Sequence, residues 1–159
     1  MTKRARNPLA VDALKKFRVI YGCVRQHFRD VERKCGVSGS QLWILQEVVA
    51  APGIGVSEVA DRLSIHQSTC SQLVEKLVGK GLVVKERSKQ DQRRVGLTLS
   101  AKATKLLNSA PGPAEGVFPD ALKALGDEDL RELNRSLTNI IDQLRVRDER
   151  FADRPLADL

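Results

Sequence analysis

Residues 56–100 constrain the fold more than any other part of this chain, because two short helical patterns separated by a tight turn run straight into a charged hairpin. Val59, Ala60 and Leu63 share one face of a first helix over 57–63, and Ser64, Ile65 and His66 make the turn. A second helix is expected over 67–80, where Cys70, Leu73, Val74 and Leu77 follow the i, i+3, i+4, i+7 spacing of a core-facing stripe, and Gly81 is placed to end it. The outward side of that helix carries Gln67, Ser68, Thr69, Ser71 and Gln72, short or amide side chains that hydrogen-bond base edges and phosphates. A solvated face without a reading task would normally be Glu- and Lys-rich. Two strands follow, 82–86 and 95–99, with Val95, Leu97 and Leu99 alternating as in a half-buried strand, and the tip between them is basic.

In this order and spacing the pattern resembles the MarR-type transcriptional regulators. The matching residues are Val56-Ser57-Glu58-Val59-Ala60-Asp61-Arg62-Leu63, then Gln67 through Leu77, then Lys80-Gly81-Leu82-Val83, and in the wing Asp91-Gln92-Arg93-Arg94-Val95-Gly96-Leu97-Thr98-Leu99-Ser100. The resemblance implies a mainly α fold with a small β-wing, a winged helix-turn-helix flanked by N- and C-terminal dimerisation helices. It divides the chain into a dimerisation helix over 1–36, a DNA-binding lobe over 37–100, and a broken linker helix with a second dimerisation helix over 101–159. Three departures stand out: His66 where a Ser or Thr usually caps the recognition helix, Cys70 in place of a small aliphatic residue, and Pro111-Gly112-Pro113 interrupting the helix after the wing.

Charge points the same way. The 159 residues carry a formal charge of +7, unevenly spread. Residues 1–34 hold ten basic groups against three acidic ones and residues 57–105 ten against five, whereas 127–159 reverse to six against nine. A basic lobe suits nucleic acid, although charge alone would equally describe a solvated surface. Without a membrane-length apolar run or a signal-like leader, the reading is a cytoplasmic protein without a membrane partner. Cys23, Cys35 and Cys70 are widely spaced, with no Cys-x-x-Cys pair, so neither disulfides nor a metal are expected, and no cofactor is called for.

The flanking segments look like assembly elements. Leu14, Phe17, Tyr21, Val24, Phe28, Val31 and Cys35 step by threes and fours, and so do Leu130, Leu133, Leu137, Ile140 and Leu144 after an expected Asp127 N-cap. Such seams need covering. An intramolecular bundle would satisfy the pattern; the resemblance implies a homodimer whose termini interleave. Between them lie a helix opened by Ser38 and Gln41 at capping-box spacing, a short strand over 54–56 that could pair with the wing, a Ser100-capped helix, and a further piece over about 119–125.

By the resemblance, the 67–80 helix enters the major groove of double-stranded DNA and the 89–94 tip the minor groove. Gln67 and Gln72 would read bases and Ser68, Thr69 and Ser71 would meet phosphates or thymine methyls, with Lys76 on the same helix. Arg93 would enter the minor groove, oriented by Asp91, while Arg87, Lys89 and Arg94 would meet phosphates. A dimer would read an inverted repeat, most simply as a repressor. Family members sense small aromatic acids or phenols, or oxidants through a cysteine. Phe17, Tyr21, Arg25, His27 and Trp43 are the candidates for an aromatic-acid pocket, and Cys23 for a redox alternative, although aromatic residues at helical spacing also serve as plain core. An enzyme is not expected, because no Gly-x-Ser-x-Gly or glycine-rich phosphate loop occurs and there are only two histidines. A metal-dependent winged repressor lacks its ligand cluster, and a protein-docking winged helix would want an acidic or apolar face where Gln67–Gln72 stand.

Overall fold

The computed structural model describes residues 7–87 and 94–159. Helix α1 (Pro8–Cys35) starts where Asn7 accepts a hydrogen bond from the Leu9 N–H at 3.0 Å, and Pro8 sits where no N–H is needed. Helix α2 (Gly39–Ala50) opens with the expected capping box: the Gln41 N–H donates to Ser38 Oγ at 3.2 Å and the Ser38 N–H to Gln41 Oε1 at 3.1 Å. Helices α3 (Val56–Leu63) and α4 (Gln67–Gly79) are joined by a turn in which Ser64 takes the left-handed conformation and Ile65 points into the core. Past α4, Gly81 at φ +69° lets its own N–H reach Val78 O and the Leu82 N–H reach Leu77 O, so the last carbonyls are satisfied.

Strands β1 (Val83–Arg87) and β2 (Val95–Leu99) pair antiparallel, Val83 opposite Leu99 and Arg87 opposite Val95. The strand expected over 54–56 shrinks to one bridge, Ile54 with Leu97, because Gly55 already caps α3 and Val56 is its first residue. The Gly53 N–H donates to Leu97 O at 2.8 Å, and a Cβ on Gly96 would lie 2.6 Å from Gly53 O. Only glycine at 96 permits this approach, which fastens β2 to the turn that follows α2.

Helix α5 (Ala101–Ser109) is capped by Ser100 as expected and stops before Pro111. Helix α6 (Val117–Lys123) begins two residues earlier than the pattern suggested, since Gly116 ends the loop and Pro119 is tolerated in the first turn. Helix α7 (Asp127–Asp142) corrects the Asp127 expectation: Gly126 is the N-cap and Asp127 the first helical residue, its carboxylate at the positive helix end. Leu144 falls just beyond the helix. Two short 3-10 helices, Glu149–Asp153 and Leu156–Asp158, follow.

The core lies in the hairpin-bearing lobe. Leu42, Ile44, Leu45 and Val48 of α2 meet Val59 and Leu63 of α3, Cys70, Val74 and Leu77 of α4, and Leu82, Val83 and Leu97 of the wing, all essentially inaccessible to water. The α1 seam is therefore split, which corrects its reading as one assembly surface. Val31 is fully buried in this lobe, Cys35 packs against it, and Phe28 lies over Gly39 and Gly116, whereas Leu14, Phe17 and Tyr21 stay exposed. Helix α7 buries no residue, and Leu137, Ile140 and Ile141 remain open to solvent. Among the described residues no intramolecular bundle covers it.

Candidate nucleic-acid interface

Four of the six expected contact residues on α4, namely Gln67, Ser68, Gln72 and Lys76, are exposed, and Thr69 and Ser71 are half-buried. Cys70, Leu73, Val74 and Leu77 anchor the opposite face, so the helix presents one polar side about 13 Å long from Gln67 to Lys76 at 1.5 Å per residue. His66 does cap this helix: its Nδ1 accepts from the Ser68 N–H at 3.3 Å and lies 2.8 Å from Ser68 Oγ. An imidazole thus fills the role of a hydroxyl cap, which holds while the ring is neutral. Cys70 Sγ donates to Val56 O at 3.6 Å, tying α4 to α3, and burial pushes its thiol up to about 11.

Arg87 at the end of β1 and Arg94 before β2 are both exposed and flank a hollow shared with Ser57 and Glu58 of α3. Lys89, Asp91 and Arg93 lie outside the described residues. Three ion pairs that the sequence reading missed trim the charge of this face. Lys85 of β1 pairs with Glu75 of α4, and Arg62 of α3 bridges Glu47 at 3.2 Å and Glu58 at 2.7 Å, which holds its guanidinium firmly charged. Lys85–Glu75 and Arg62–Glu47 join neighbouring elements at i+10 and i+15 separations that give no local signal, whereas Arg62–Glu58 is an i+4 pair within α3 whose spacing is readable. Solvent screens these exposed pairs, so they shape the charge of the face more than they stabilise the fold.

The five expected pocket residues form two groups. Phe17 and Tyr21 stack at 6.4 Å between centroids and Arg25 sits 5.6 Å over the Tyr21 ring, all exposed along one stripe of α1. His27 is buried round the helix against Phe28, its Nε2 without a hydrogen-bond partner, and desolvation lowers its pKa despite the Pro113 carbonyl and Asp30. Trp43 is half-buried, its Nε1 donating to Glu47 at 3.2 Å.

The segment after α7 is a feature that sequence reasoning did not foresee. It returns to this lobe: the His66 N–H donates to Asp153 O at 3.0 Å, Ser40 Oγ donates to Asp158 Oδ1 at 3.1 Å, and Pro155 is buried. Asp148 caps its first turn and takes paired bonds from Arg150, which hold its carboxyl at about 2.

Comparison with known proteins agrees with this geometry. The model of the MarR family matches residues 36–94, the lobe just described. The HTH-type transcriptional regulator MgrA of Staphylococcus aureus is 25% identical over 117 residues, 74% of this chain and 78% of MgrA. Among solved structures, the YusO protein from Bacillus subtilis superposes with a TM-score of 0.54 at 17% identity, over 89% of this chain and 100% of YusO. A mutant of MepR from S. aureus, solved bound to an oligodeoxyribonucleotide, gives 0.52 at 21% identity, over 84% of this chain and 98% of that one.

Proposed function

We propose that this chain, whose residues 36–94 match the MarR-family model, is a DNA-binding transcription regulator that acts as a homodimeric repressor on an inverted-repeat operator. The observation carrying this reading is the division of α4 into a buried stripe, Cys70, Leu73, Val74 and Leu77, and an outward row of Gln67, Ser68 and Gln72 with Lys76 at its end. Amides at that spacing suit bidentate pairing with adenine, and hydroxyls suit phosphate. Arg87 and Arg94, where the two strands of the wing meet its tip, suit backbone phosphates, with Arg93 assigned to the minor groove and Asp91 to its orientation. The exposed apolar stripes of α1 and α7 support a second copy as the covering partner. Selection of bound fragments from random DNA tests the reading: two-fold symmetric sites with half-sites about one helical turn, roughly 34–36 Å, apart are expected, and asymmetric or absent selection would overturn it.

Release by a small aromatic acid or phenol is the form of control we assign. Phe17 stacked on Tyr21 with Arg25 above the ring offers an aromatic wall and a cation on the surface that a second subunit would close, and His27 and Trp43, facing elsewhere, are assigned structural roles. Cysteine-based sensing is less well supported, because burial raises the pKa of both Cys35 and Cys70, leaving Cys23 as the exposed thiol. Titrating salicylate-like acids against the operator complex separates the two: loss of DNA binding supports the acid, while peroxide release abolished by Cys23→Ser supports the thiol.

A further inference from the structure

The segment beyond α7 leaves its own helix and settles on the end of the lobe from which α4 begins. Its backbone reaches α4 at Asp153 O, which takes the N–H of His66, the residue immediately before Gln67. Its Asp158 carboxylate rests on Ser40 Oγ in the first turn of α2, in a hollow whose far wall includes Lys76 and Lys80 of the α4 end. Between these points Pro155 is buried, and Pro155, Leu156 and Ala157 line one small hollow with Phe28, Gly39 and Trp43. Gly39 is part of that fit, since a Cβ there would come within 3.2 Å of the Ala157 methyl.

We propose that residues 148–158 form an intramolecular competitor of DNA, an arm that occupies the approach to its own recognition helix and must leave when a duplex binds. The proposal rests on the reading of α4 as that helix. A duplex whose bases meet Gln67 and Ser68 must come within hydrogen-bonding range of the first turn of α4, and the arm's backbone already lies 3.0 Å from the residue before it. The electrostatics are also those of a competitor. The positive end of α2, in a hollow that Lys76 and Lys80 share with Glu32, attracts an anion such as a phosphate, and the Asp158 carboxylate of the arm is seated there instead. A docked arm lowers apparent affinity by the fraction of molecules in which it is open, so an arm docked about nine-tenths of the time weakens binding about tenfold.

Trp43 supplies the readout, because it is the chain's single tryptophan and shares the hollow with the arm. The experiment uses the full chain and a duplex carrying the sequence it selects from a random pool. Wild-type Trp43 emission should move to longer wavelength as the duplex saturates. Pro155→Gln should show that shift without DNA and bind about tenfold more tightly. Asp158→Asn, which keeps the apolar docking and serves if Pro155→Gln fails to fold, should gain about threefold, the scale of one exposed charge interaction. Unmoved wild-type Trp43 at saturation overturns the proposal, as does unchanged or weaker binding by Asp158→Asn or by a folded Pro155→Gln; weaker binding would mean that the arm's arginines add DNA contacts. Failure of wild type and variants alike to bind any duplex would overturn the DNA reading itself.

Discussion

Ile140→Asp tests whether a second copy covers the apolar stripes. Ile140 is 59% exposed in the single chain, on a helix with no buried residue. Full burial of such a side chain is worth about 1.5–3 kcal/mol, so covering the exposed fraction contributes about 1–2 kcal/mol per copy, doubled in a two-fold dimer. Placing a carboxylate there adds at least about 1–3 kcal/mol per copy in desolvation. The two together exceed about 4 kcal/mol, three orders of magnitude in dimer dissociation at 1.4 kcal/mol per decade. Sedimentation equilibrium at micromolar concentration should show a dimer for the parent and monomer for Ile140→Asp, with an unfolding midpoint that depends on protein concentration only in the parent. Val84→Asp is the control: Val84 is 45% exposed on the wing, outside both stripes, and should leave the mass unchanged. A folded monomeric parent would refute the reasoning, as would equal effects of the two substitutions.

Three further outcomes follow from the site. Burial lowers the His27 pKa below 6.5 in the folded chain, so as pH falls through 6.5 the unfolded state binds protons first and stability is lost down to the folded value; urea midpoints should decline over this window and His27→Gln should flatten the decline. Cys70, raised to about 11 and fully buried, should resist thiol reagents at mildly alkaline pH while exposed Cys23 reacts, and equal labelling rates in the native protein would contradict the burial argument. In the wing, Arg93→Ala should weaken binding strongly at the selected operator, whereas Lys89→Ala should weaken every duplex alike and lower the salt slope by about one unit; unaltered operator affinity for Arg93→Ala removes its assignment.

The lobe was readable because its signals are local. Capping at Ser38 and Ser100, the glycine stop at Gly81 and the stripe Cys70–Leu73–Val74–Leu77 each depend on residues within a turn or two, whereas the cap by His66, which stood out in the sequence only as a departure, shows in its ring geometry. The α1 seam misled for the opposite reason. Its spacing runs unbroken from Leu14 to Cys35, and nothing in a period of three and four says that Val31 meets its own lobe while Phe17 faces outward. The pocket candidates failed to converge on simple geometry: Tyr21 and Arg25 are four residues apart on one face, but His27, two residues on, lies about 200° round the helix. The returning arm was invisible, since it docks through a backbone carbonyl, a proline and a small methyl rather than a periodic apolar stripe.

The lobe is tied to the two unpartnered stripes by connections of unequal stiffness. Helix α1 runs unbroken for 28 residues, and Tyr21 in the exposed stripe lies ten residues, about 15 Å, from Val31 in the lobe core. A rigid rod of hydrogen-bonded turns therefore carries any displacement at Tyr21 into the packing beneath α2. The route to α7 is different, because it passes through Ser100, α5, the Pro111–Pro113 break and the short α6 before the helix begins. Prolines there remove backbone donors and prevent one continuous helix, so this route bends where the first does not. A ligand held between Tyr21 and a second subunit would bias lobe spacing only through unequal affinity for two spacings. A difference of about 1–3 kcal/mol gives roughly 5- to 150-fold in DNA affinity, and it must act through α1, the connection that cannot absorb it.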